Sequence, residues 1–280
     1  MSYLIKWYLE KEEADKINRK IKEHRRKKSN EKRTLNKIYF ENEENDMLKI
    51  EHLTKKYGDK TAVDDLNLHI QKGEIYGFIG HNGAGKTTTL KSVVGILQFD
   101  EGEIYVDGES VKEQPLKCKR KIAYIPDNPD LYDYMTGIKY LNFIADIFKV
   151  SAADRKERIH KYADLFEITD DLAQPIAAYS HGMKQKLAII SAWLHEPKLI
   201  IMDEPFVGLD PKASHLLKEM MREFCDNGGA LFFSTHVLEV AEKLCDKVAI
   251  IKGGKLIRQG TMDEVKGDES LEDVFLELEE

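Results

Sequence analysis

Eight consecutive residues, Gly80-His81-Asn82-Gly83-Ala84-Gly85-Lys86-Thr87, follow the pattern G-x-x-x-x-G-K-[ST], and Thr88 extends the run. Glycines in such a run let backbone N–H groups turn inward around a phosphate. A helix that starts near Lys86 adds the positive end of its dipole. Lys86 then supplies a point charge between two phosphates, and the Thr87 hydroxyl is placed to ligate Mg²⁺. The flanks suit this reading. The run follows an apolar stretch, Glu74 to Ile79, and precedes a segment that reads as helix from Lys86 to about Leu97.

A second group of chemical residues ends an apolar run. Leu199-Ile200-Ile201-Met202 leads into Asp203 and Glu204. Asp203 suits the acidic position that holds Mg²⁺ through water, and Glu204 suits a carboxylate that polarises an attacking water. Another apolar run, Leu231-Phe232-Phe233-Ser234-Thr235, delivers His236. Ligands of open α/β sheets bind beyond the carboxyl ends of the strands, which is where all three residues fall.

These positions imply a scaffold. Leu48–Leu53, Val63–Ile70, Glu103–Val106, Ile122–Ile125, Leu199–Met202, Ala230–Ser234 and Lys247–Ile251 read as strands. Helices fall near 212–226 and 237–245. Residues 131–195 hold no convincing strand, and apolar Tyr140, Ile144, Ile147 and Phe148 recur at helical spacing. Strand–helix alternation predicts a mostly parallel sheet with helices on both faces. Ser270–Leu278 reads as a short acidic amphipathic helix.

Composition narrows the class. The 280 residues are 42% hydrophobic and 33% charged, an ordinary globular balance. No apolar run is long enough to span a bilayer, and the start lacks the pattern of a signal peptide. Cys118, Cys225 and Cys245 form no metal motif and read as reduced thiols. Net charge is −7, divided into +3 over residues 1–46 and −10 over residues 47–280. An acidic body argues against a nucleic-acid partner.

The first 46 residues are distinct. Nine basic residues lie between Arg19 and Arg33, behind an apolar patch of Tyr3, Leu4, Ile5, Trp7, Tyr8 and Leu9. Three readings stand: a basic amphipathic segment on an anionic membrane, a solvated and partly disordered tail, or an extension upstream of a natural start at Met47.

Taken in order, the motifs from about Met47 to Gly260 resemble an ABC-type ATPase subunit. Gly80–Thr88 matches the Walker A loop, and Leu199–Glu204 matches Walker B with its catalytic glutamate. Gly208-Leu209-Asp210 matches the D-loop, and His236 the switch histidine. Tyr179-Ser180-His181-Gly182-Met183 occupies the signature position, with His181 and Met183 in place of the usual glycine and glutamine. The resemblance implies ATP and Mg²⁺ as cofactors. It implies that Tyr57 stacks on adenine, and that His81, Asn82, Gly83, Ala84, Gly85, Lys86, Thr87 and Thr88 surround the phosphates. Ser180 and Gly182 would reach the ATP of an opposite subunit in a dimer. Asp127, in Ile125-Pro126-Asp127, stands where the family has glutamine, and its role as a metal ligand is in doubt because it is one methylene shorter.

The same resemblance implies a P-loop NTPase core with an antiparallel β subdomain and an inserted helical subdomain. The implied boundaries are 1–46 extension, 47–262 ATPase domain with helical part about 128–188, and 263–280 C-terminal helix. The Tyr-Ser-x-Gly-Met-Lys-Gln-Lys run and the end Ser270–Leu276 are similar to bacterial ABC-2-type exporter subunits, nearest the Ecs-like branch. That implies a peripheral protein on the cytoplasmic face of the membrane, paired with a separate transmembrane permease and with a second copy or a second ABC subunit. The rival reading is a soluble ABC ATPase acting on ribosomes, nucleic acid or an assembly complex, for which the basic segment 19–33 is the one favourable feature.

Overall fold

A computed structural model describes residues 45–279, and Asp46 onward forms one compact unit. The expectations for residues 1–44, including the basic segment, lie outside the described residues. Strands and helices run in the order β1 (Asp46–Tyr57), β2 (Lys60–Gln71), β3 (Ile75–Ile79), α1 (Lys86–Val93), β4 (Glu101–Val106), β5 (Glu109–Ser110), α2 (Pro115–Lys121), β6 (Ile122–Ile125), α3 (Gly137–Ile147) and α4 (Ala152–Leu165). Then follow α5 (His181–Trp193), β7 (Leu199–Asp203), α6 (Pro211–Asp226), β8 (Ala230–Thr235), α7 (Leu238–Leu244), β9 (Lys247–Lys252), β10 (Lys255–Thr261), α8 (Met262–Lys266) and α9 (Leu271–Glu279).

Two sheets result. One is antiparallel, in the order β2-β1-β4-β5. The other has the order β10-β9-β3-β8-β7-β6 and is parallel except for β10 at its edge. Strands β3, β7 and β8 are buried along their whole length, which is why they read as continuous apolar runs. Alternate side chains still face opposite layers. Ile75, Ile200, Met202, Leu231 and Phe233 join the core under α5 and α6, while Phe78, Leu199, Ile201 and Phe232 join the core shared with α1 and the antiparallel sheet. Helices α3, α4 and α5 lie between β6 and β7 in sequence and pack with the first of these cores.

Three local differences from the sequence expectation have physical causes. Helix α1 ends at Val93, short of Leu97, because Gly95 adopts φ +68° and turns the chain out of the helix. Strand β10 carries Lys255, Arg258 and Gln259 on an exposed edge, so it lacks the apolar signal of the inner strands. Helix α2 is seven residues long and buries only Cys118, too little for a periodic pattern.

Candidate active site

The loop after β3 owes its path to two glycines. A Cβ on Gly80 would lie 2.4 Å from the Ile251 carbonyl oxygen, and one on Gly85 would lie 2.5 Å from the Ala62 oxygen. Gly85 also needs φ +113°, which L side chains rarely adopt. It caps α1 with no side-chain hydrogen bond, so the first-turn N–H groups of α1 are left to other acceptors. Lys86 opens the helix and is only 6% exposed. Its Nζ donates to the carbonyls of Gly80 at 2.5 Å and His81 at 3.3 Å, and lies 3.6 Å from Glu204 Oε1.

Strand order places the acidic side. Strand β8 lies between β3 and β7, and Asp203 pairs in register with Ser234. Asp203 is 1% exposed, yet each of its oxygens accepts a hydroxyl: Oδ2 from Thr87 at 2.6 Å, Oδ1 from Ser234. A buried carboxylate needs such partners. The Thr87 hydroxyl and the Asp203 carboxylate thus converge on one point at the mouth of the loop. This is an oxygen donor set suited to a hard divalent cation.

Glu204 leaves β7 with φ +49°, a left-handed conformation that costs a non-glycine residue roughly 1 kcal/mol. Its N–H is held by Ser234, through the carbonyl at 3.2 Å and Oγ at 3.1 Å. The strain is therefore fixed from the neighbouring strand and aims the carboxylate inward. Oε2 meets His236 Nδ1 at 2.9 Å. Oε1 is buried beside Lys86 and has no hydrogen-bond partner among the described residues. An acceptor in that state is available to a water or to a ligand proton.

Tyr57, Lys60, Ala62, His81, Asn82, Gly83, Gly85, Lys86, Thr87, Thr88, Asp127, Asp203 and Glu204 line one cavity of about 260 Å³. That is just below the range of about 300–1,000 Å³ usual for small-ligand pockets. Tyr57 of this lining ends β1 and is 50% exposed. Asp127 is exposed on the cavity wall, directly after β6. Tyr124 lies on the same strand with its hydroxyl buried and without a partner among the described residues. Burial, then the charges of Asp203 and Asp127, push its phenol above the usual range. A larger cavity of about 610 Å³ adjoins Trp193 and Phe224. It touches Lys198 and Gly229, which precede β7 and β8, so it lies at the wrong ends of the strands for this chemistry.

Ser180 and Gly182 are outside the cavity. Ser180 caps α5, its Oγ accepting from the Met183 N–H at 3.2 Å, and it is exposed. Gly182 fits beneath the Gly208 carbonyl, where a Cβ would sit 2.6 Å from the oxygen. Asp210 caps α6 and pairs with Lys186 at 2.8 Å; the hydrogen bond from Lys186, then that from the Ala213 N–H, lowers its carboxyl below the usual range.

Ser234, which holds both Asp203 and Glu204, and Lys60 and Ala62 of the cavity wall belong to no motif in the sequence. The hydroxyl pair Ser234-Thr235 ahead of His236 was the available signal.

The profile of the family described as ABC transporter matches residues 63–207. The chain is similar to the ABC-type transporter ATP-binding protein EcsA of Bacillus subtilis (strain 168), 34% identical over 237 residues that make up 83% of this chain and 96% of that protein. It is also similar to the Nod factor export ATP-binding protein I of Ralstonia nicotianae, 32% identical over 219 residues, 78% of this chain and 68% of that one. Among solved structures, an ATP binding subunit of an ABC transporter matches with a TM-score of 0.81 at 35% identity, across 84% of this chain and 100% of the other.

Proposed function

This chain belongs to the ABC transporter family, and we propose that its 260 Å³ cavity is the ATP site that drives export through a separate membrane protein. It is an ATP-binding and ATP-hydrolysing subunit of a transporter. The observation that carries the site assignment is the convergence of Lys86, Thr87, Asp203 and Glu204 on one cavity at the carboxyl ends of β3 and β7.

The roles follow from position. N–H groups of Gly83 to Thr88 wrap the β-phosphate, and Lys86 offsets charge between the β- and γ-phosphates. Tyr57 stacks on the adenine. Thr87 and Asp203 would hold Mg²⁺, and Asp127, which lines the same cavity, would join through water; the ion, when bound, shields the phosphate charge from an incoming nucleophile. Glu204 Oε1, which has no hydrogen-bond partner among the described residues, accepts from the attacking water and aligns its oxygen with the γ-phosphorus. That oxygen forms the new P–O bond as the bond to the β-phosphate oxygen breaks and ADP leaves. His236 holds the other Glu204 oxygen and thereby fixes which one faces the water.

Ser180 and Gly182 act in trans. They sit outside their own cavity, at the N-terminus of α5, where the exposed Ser180 hydroxyl and the first-turn backbone N–H groups suit the γ-phosphate of a second copy. ATP between two copies then joins them, and hydrolysis lets them part. The membrane partner docks on the helical part between β6 and β7. Tyr132, Tyr134 and Phe143 form an exposed aromatic patch there, the ring centroids of Phe143 and Tyr134 lying 5.7 and 5.8 Å from that of Tyr132. No helix among the described residues is long and apolar enough to cross a membrane. We assign the chain a peripheral place on the cytoplasmic face.

Glu204→Gln tests the site. The variant should bind ATP with unchanged affinity, lose on the order of 100-fold or more in turnover, and run as an ATP-dependent dimer in size-exclusion chromatography. Wild-type turnover would remove Glu204 from the mechanism.

A further inference from the structure

Gln185 has no part in the roles above, yet it is 0% exposed. Its Nε2 donates to the Pro205 carbonyl at 3.2 Å, while its Oε1 is buried without a partner among the described residues. A half-satisfied buried amide is unfavourable beside an apolar side chain of the same shape. Packing alone gives no reason for a glutamine at this position.

Its contact supplies one. Pro205 directly follows Glu204, has no N–H, and offers only its carbonyl as a handle. On one side, the turn is tied to β8 through the Glu204 N–H and Ser234. On the other side, Gln185 ties it to α5. Two more residues of α5 grip the same segment: Gly182 under the Gly208 carbonyl, and Lys186 on Asp210 at 2.8 Å. Positions 182, 185 and 186 are spaced i, i+3, i+4 and share one face of the helix. Ser180 stands at the head of that same helix.

We infer that Gln185 is a positioning residue. It locks residues 204–210 to α5, so that the helix movement seating Ser180 on the second copy's nucleotide also sets the angle of Glu204 in its own site. The two composite sites are thereby mechanically joined within each chain. This rests on the roles proposed for Glu204 and Ser180.

Gln185→Met, of similar length but unable to hydrogen-bond to Pro205, separates positioning from packing. With the full chain, three quantities are measured: melting temperature, equilibrium affinity for radiolabelled ATP, and steady-state turnover. The expected result is a melting temperature unchanged or raised, ATP affinity within twofold, and kcat reduced at least tenfold. A kcat within twofold of wild type overturns the inference. So does a loss of kcat matched by equal losses of ATP affinity and melting temperature. Gln185→Leu is the second variant; failure of both to fold would make Gln185 a packing residue and also overturn it. Glu204→Gln in the same assay keeps the two ideas apart: if that variant stays active, the parent reading falls whatever residue 185 does.

Discussion

The phosphate loop and the start of α5 use the same chemistry with opposite finish. Each presents backbone N–H groups at a helix N-terminus, a glycine in close backbone approach and a hydroxyl. In the loop, α1 has no side-chain cap, and its first turn is enclosed by Lys86, Asp203 and Glu204. At α5, the Ser180 hydroxyl already accepts from Met183, and the surface around it is exposed. One end is formed within the chain, with the Lys86 ammonium 3.6 Å from the Glu204 carboxylate. In the proposed function, the other end meets a nucleotide carried by a second copy. Under the proposed function, binding falls to a single chain and turnover to a pair.

Substitutions can break that division. Lys86→Ala acts on the finished half and should have the largest effect, weakening ATP binding by roughly 100-fold or more because an anionic ligand loses its buried counter-charge. Equilibrium binding reads this directly, and unchanged affinity would move the phosphates elsewhere. Ser180→Ala acts on the dependent half. It should leave ATP affinity of the separated chain unchanged, lower turnover about tenfold, and cost about 1 kcal/mol of stability through loss of the helix cap. A large fall in affinity would erase the distinction between the two ends. Tyr57→Ala should have the smallest effect, about 1 kcal/mol or roughly fivefold in ATP affinity, seen as weaker preference for adenine nucleotides over bare triphosphate. Equal loss for both ligands would place the base elsewhere.

Much of this division was legible in the residues. Phosphate chemistry demands a contiguous run, so Gly80–Thr88 announces itself, and buried parallel strands announce themselves as apolar runs ending in Asp203-Glu204 or His236. What the residues could not convey was strand order. Ser234 matters because β8 lies between β3 and β7 and pairs it with Asp203, a relation between distant segments that no local spacing encodes. Gln185 was hidden for a related reason: on a helix it reads as a surface polar residue until α5 is seen pressed on the turn at Pro205. The end of α1 depended on the conformation of a single glycine, and β10 on backbone pairing with a charged face. Both are tertiary choices that override the local pattern.

The interposed strand has a further consequence, for how the chain acquires its activity. Thr87 and Asp203 are 116 residues apart, and the serine that steadies Asp203 comes another 31 residues later. Contacts of such long range are closed late in folding, after local helices and hairpins. A growing polypeptide that has made the whole glycine loop still lacks its acidic wall, and one that ends with β7 lacks the strand between the two. The proposed nucleotide site is therefore whole only once the central sheet has been assembled.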